Sequence, residues 1–259
     1  MKKITTILML LVAALCRESK AQISPPGLGI AHMADWFALG IRQKLKRRKG
    51  WQSMSYIGMG RKSNPDNYNP ALKPAILVLN HEFTHAVNTH YQYAFALSYR
   101  RQDEYLDRAP YKHQRPGTQQ EIRAYGRLYY FLPLRRIKLA AVLRQELRKF
   151  YTPAFHNPEE SLQLRSRLRL QMTVPLNKQK THRLITGAEA LFATSQLTGH
   201  AGFTPFAYEE SRFTCYYSWT LKKLPFTLDV GYMSNLLGKT ASHVVHYLAF
   251  DIIWENPFR

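Results

Sequence analysis

Residues 162–174 read LQLRSRLRLQMTV. Leu162, Leu164, Leu168, Leu170, Met172 and Val174 share one parity, and Gln163, Arg165, Arg167, Arg169, Gln171 and Thr173 share the other. A strand sends successive side chains to opposite faces, so this segment predicts one apolar face and one strongly cationic face. Such a strand suits a site with lipid on one side and water or counter-charge on the other.

The same alternation recurs on both sides of that stretch. In 135–151, Ile137, Leu139, Ala141, Leu143 and Leu147 oppose Lys138, Arg144, Glu146 and Arg148. In 207–222, Phe213, Cys215, Tyr217, Trp219 and Leu221 oppose Glu210, Arg212, Thr214, Tyr216, Ser218 and Thr220. In 225–234, Phe226, Leu228, Val230 and Tyr232 oppose Thr227, Asp229 and Gly231; in 241–254, Leu248, Phe250, Ile252 and Trp254 oppose Ala249 and Asp251. Trp36, Trp219, Trp254 and many tyrosines supply material for interfacial girdles. A soluble β-barrel or sandwich also alternates, but its apolar face points inward. One interior would then have to hold large aromatics from nearly every strand, with the arginines coating the outside. The expectation is therefore all-β: a transmembrane antiparallel up-and-down β-barrel.

Proline sets the boundaries. Pro65, Pro70, Pro74, Pro110, Pro116, Pro133, Pro153, Pro158, Pro175, Pro205, Pro225 and Pro257 fall between alternating segments or at their ends, as expected of a residue that cannot donate to a ladder. The segments between are 33–46, 50–62, 75–87, 89–101, 119–132, 135–151, 160–174, 181–196, 207–222, 225–234 and 241–254. Short connections alternate with longer ones, the signature of periplasmic turns on one rim and outer loops on the other. Most short turns carry Lys or Arg, as solvated charge or in contact with anionic head groups. Bacterial barrels of this kind have even strand numbers. Ten to twelve strands are expected, and twelve is favoured, with a short extra strand near 27–32; otherwise the N-terminus threads the lumen or the count is ten.

The N-terminus reads as an export signal. Lys2 and Lys3 precede an apolar stretch from Ile4 to Leu15, and Ser19-Lys20-Ala21 offers a small-x-small cleavage site before Gln22. This predicts a signal peptide over 1–21 and one barrel domain over 22–259, in the outer membrane of a Gram-negative bacterium. The stretch is too short to span a bilayer as a helix, and Leu15 is bulky where a lipidation signal before Cys16 wants a small residue. Cys215 is then the one cysteine left, which excludes an intramolecular disulfide. The formal charge of +20 becomes about +17 without the signal. Basic charge often means nucleic acid, but export and the dispersal of arginine over alternate strand positions argue against that partner. Outer-membrane lipid, lipopolysaccharide phosphates and small anionic solutes fit better.

Turned inward, the polar faces line a lumen with Glu121, Arg123, Arg127, Arg144, Glu146, Arg148, Arg165, Arg167, Arg169, Glu189, Glu210, Arg212, Asp229 and Asp251. An unpaired buried charge costs several kcal/mol, so most of these must pair or be hydrated. Two arrangements satisfy that rule: a salt-bridged plug, or a wet lumen whose surplus arginine favours anions.

Several of these runs resemble a family. They are Gln120-Glu121-Ile122-Arg123, Arg144-Gln145-Glu146-Leu147-Arg148, Arg165-Ser166-Arg167-Leu168-Arg169-Leu170, Glu189-Ala190-Leu191-Phe192 and Gly231-Tyr232-Met233. The chain resembles the domain-of-unknown-function 2490 family of Gram-negative exported proteins, over about residues 33 to 256. The resemblance implies an outer-membrane barrel and brings no activity, substrate or catalytic residue. The chain departs from the usual aromatic terminus of barrel proteins in that Arg259 follows Phe258.

One motif points elsewhere. His81-Glu82-Phe83-Thr84-His85 matches H-E-x-x-H, which on a helix puts two imidazoles on one face to hold zinc, with the Glu as base. The flanks Ile76-Leu77-Val78-Leu79 and the β-branched Thr84 and Val87 suit a strand. There His81 and His85 would lie about 13 Å apart, beyond the reach of one ion, and Glu82 would face the other way. No nucleophile elbow, phosphate loop or paired-Cys motif occurs, so no catalytic, metal or cofactor residues are assigned. Three functions remain in order: a narrow anion-favouring channel for small solutes, a closed structural or surface-interaction barrel with a salt-bridged lumen, and a zinc metallopeptidase.

Overall fold

The alternating segments form eleven strands in the computed structural model, which describes residues 23–45, 49–134, 136–238 and 243–258. They are β1 (Met33–Lys44), β2 (Trp51–Lys62), β3 (Lys73–Ala86), β4 (Tyr91–Tyr105), β5 (His113–Leu134), β6 (Ile137–Tyr151), β7 (Glu160–Pro175), β8 (His182–Leu197), β9 (Ala207–Thr220), β10 (Phe226–Leu237) and β11 (His243–Glu255). All regular structure among the described residues is β, and each strand pairs with its sequence neighbours into one closed barrel. The expected export signal over 1–21 lies outside the described residues, as do residues 46–48 and 135.

Eleven is within the expected range but one short of the favoured twelve. Residues 27–32 add no strand. In a meander with an odd count the first and last strands run the same way, and here β1 closes on β11 in parallel, from Met33 opposite His246 to Arg42 opposite Glu255. The residues before β1 instead fold into the barrel, where Ile23, Leu28 and Ala31 are buried.

The β4–β5 hairpin is longer than the prolines suggest. Asp103 pairs with Thr118 and Tyr105 with His113, so residues 114–117 bulge opposite Glu104. A bulge releases its residues from the ladder, which is how Pro116 enters a strand that its chemistry would otherwise end.

Burial follows parity. On β7, Leu168 and Leu170 are 54% and 63% exposed while Arg167 is 5% exposed; on β5, Ile122 and Leu128 are exposed and Arg123 is 1% exposed. The barrel therefore wears its apolar residues outside and encloses its charges, the reverse of a water-soluble barrel.

Part of the interior is apolar nonetheless. Trp36, Ile185, Tyr216, Met233, Val245, Tyr247 and Ile253 pack around Ile23, Leu28 and Ala31. Trp36 is thus no girdle residue: it points inward, where its Nε1 donates to Asp251 Oδ1 at 3.1 Å. Glycine makes room for these rings. A Cβ on Gly58 would sit 2.3 Å from the Trp36 ring, and one on Gly231 would sit 2.2 Å from Tyr216.

Candidate functional site

The charged residues meet inside the barrel on the wall formed by β3 to β9. Ladder register decides who can pair. Arg123 faces Arg148 and Arg127 faces Arg144 across β5 and β6, and Arg144 faces Arg167 across β6 and β7. Like charges set directly opposite repel, so the guanidinium groups reach carboxylates off that rung: Arg148 and Arg167 on the diagonal, Arg144 and Arg212 along their own strands, and Arg127 two strands away.

Glu146 is the hub. Its fully enclosed carboxylate contacts Arg144 Nε at 2.6 Å, Arg123 Nη1 at 3.0 Å and Arg167 Nη1 at 3.0 Å. Glu121 holds Arg123 at 2.5 Å and accepts two bonds from Arg148, at 3.1 and 2.8 Å. Arg167 grips Glu189 with both Nε and Nη2, at 3.0 and 2.7 Å. Such two-pronged pairs are strong and directional. Arg148 also donates to Gln163. Glu210 accepts from Arg212 at 2.5 Å and from Asn235 at 2.7 Å, with Arg165 at 3.9 Å. Arg169 donates to Thr214 at 3.4 Å.

All the arginines and glutamates expected in the lumen lie in this assembly. Asp229 and Asp251 do not: they face each other across β10 and β11, on the wall beside Trp36. Other inward charges were missed, Glu82, Arg42, Glu255 and Arg100 among them. Glu82, read only within the zinc motif, accepts from the Tyr125 hydroxyl at 2.8 Å and pairs with Arg127 at 3.3 Å. Arg42 binds Glu255 across the parallel closure at 2.7 Å. Arg100 sits on the inward parity of β4 with Gln92, Ala94, Ala96 and Ser98. That parity was the available signal, muted by the small residues that share it.

The segment ahead of β1 plugs the remaining space. Leu28 N donates to the Tyr247 hydroxyl at 2.9 Å, Lys62 Nζ donates to Leu28 O at 2.8 Å, and Arg212 Nη1 reaches Pro25 O at 3.3 Å. Between this segment and the charged wall remain voids of about 40 and 50 Å³.

The H-E-x-x-H residues are in strand conformation on β3. His81 is outward and bonded to Ser55 Oγ at 2.7 Å, His85 lies 4.7 Å from the Trp51 ring, and Glu82 points inward. The two imidazoles share the outward face, but strand spacing sets them too far apart to hold one ion, and Glu82 is on the other face. Among the described residues no group of three or more His, Cys, Asp or Glu is arranged to hold a metal.

A family model described as a protein of unknown function (DUF2490) matches residues 34–245. The match covers most of the chain, and the protein belongs to that family. A comparison with curated proteins returns no match.

Proposed function

We propose that this DUF2490 barrel is an outer-membrane protein with a closed lumen, working as a structural or surface-interaction barrel rather than as a conduit. One observation carries the reading: residues 23–31 and the Glu146-centred ion pairs together fill the interior. An open pore needs a continuous wet path, whereas the two voids between the plug and the charged wall are each of a few water volumes. The apolar outer face supports lipid as the surrounding partner, and the sequence of the first 21 residues supports export. Connections 63–72, 106–112, 152–159 and 198–206 share the rim opposite the short turns, and in this reading they are the surface offered to the outside.

The anion-favouring channel is the second reading, and the arginine surplus favours it. It requires residues 23–31 to leave the lumen. Planar-bilayer recording separates the two. The closed barrel passes no steady current, and deleting residues 23–31 makes it conduct. A steady single-channel current from the intact chain, reduced by Arg165→Ala with Arg167→Ala, would replace the closed reading by the channel.

A further inference from the structure

The charged wall holds more Arg than Glu, and Arg100 belongs to the surplus. Arg100 lines the smaller void with Ser24, Arg127, Arg144, Arg167 and Arg212, and one carboxylate, Glu82, which pairs with Arg127 at 3.3 Å. Among the described residues Arg100 has no ion-pair partner, and its Nε is buried without a hydrogen bond. The Ser24 hydroxyl is likewise buried without a partner. Arg144 lies 3.6 Å over the Tyr125 ring and shares Glu146 with two other guanidinium groups. Ser24, Arg127, Arg144 and Arg167 line the second void as well, so the two spaces adjoin.

A guanidinium stays charged at any ordinary pH. Water in the voids would satisfy N–H groups but leave the charge uncompensated in a low-dielectric enclosure. An oxyanion supplies both charge and acceptors, and forked guanidinium donors match its geometry. We propose that this cavity is a binding site for one small oxyanion of the phosphate or sulfate class, held by Arg100, Arg127, Arg144 and the Ser24 hydroxyl. The space admits a group of about five non-hydrogen atoms, which excludes nucleotides and sugars. The site rests on the closed-lumen reading, because the plug supplies Ser24 and one wall of the cavity.

Equilibrium dialysis of the detergent-purified chain against radiolabelled inorganic phosphate in Tris-gluconate tests the site. Saturable uptake of about one phosphate per chain is expected, competed by sulfate. Arg100→Gln weakens it by about tenfold or more, while Arg101→Gln, on the exposed face of the same strand, leaves it unchanged. Heat-modifiable gel migration shows that each variant is folded. If Arg100→Gln does not fold, Ser24→Ala, outside every strand, carries the test with an expected loss of about threefold. No saturable uptake, equal competition by chloride, or affinity unchanged in both variants would overturn the site. Lipopolysaccharide added to the dialysis leaves the label in place if the site is enclosed; displacement would assign the phosphate to lipid and overturn it. Recording current from the same preparation keeps the two readings apart. A conducting barrel loses the closed lumen and, with it, the wall that Ser24 supplies, whereas a silent barrel without uptake loses the site alone.

Discussion

The two walls of the lumen obey one parity rule and hold opposite chemistry. On β5 to β8 the inward positions include the Arg and Glu residues that pair around Glu146. On β1, β10 and β11 they include Trp36, Met233, Val245, Tyr247 and Ile253, packed on the segment that precedes β1. The ionic wall depends on every charge keeping a partner, because a single loss strands the others. The apolar wall depends on volume, which neighbouring residues can partly recover. The difference teaches that one closed barrel can be filled by two unrelated forces, and the two should fail differently.

The largest effect is expected at the ionic hub. Glu146→Ala leaves three guanidinium groups short of a counter-charge, and should cost about 3–5 kcal/mol, read by urea unfolding in lipid vesicles. A cost under about 1 kcal/mol would mean that the interior is hydrated enough to screen these charges. On the opposite wall, Gly231→Ala drives a Cβ into Tyr216 and should cost about 1–3 kcal/mol. In a chain that already carries Tyr216→Ala the same change should cost less, because the atoms in collision are gone. An additive pair of costs would show that the crowding is relieved elsewhere. The smallest effect is expected from Trp36→Phe, which keeps most of the ring and removes the bond to Asp251. The expected loss is about 1–2 kcal/mol.

The sequence made the ionic wall readable and the apolar wall not. In 162–174 one parity is all charge and amide apart from Thr173, so no other register is physically acceptable. Along β1 both parities are apolar: Trp36, Ala38 and Gly40 point in, while Phe37 and Leu39 point out. Alternation there carries no direction, which is why Trp36 read as a girdle residue. The favoured count of twelve missed by one for a related reason. Residues 27–32 are small and apolar enough for an edge strand, and only the closed barrel reveals that an odd meander shuts through a parallel pair and leaves that segment inside. Glu82 was hidden by a stronger pattern. A catalytic motif drew attention to its neighbours, while its partners Tyr125 and Arg127 lie more than forty residues away.

Cys215 tests most directly whether lipid meets the outward face. It is exposed between Phe213 and Tyr217, in the middle of β9. A fluorophore attached there, in protein refolded into vesicles, should be quenched by nitroxide-labelled acyl chains and protected from aqueous iodide. Quenching by iodide, with no response to the acyl-chain label, would place that face in water and contradict a membrane-embedded barrel.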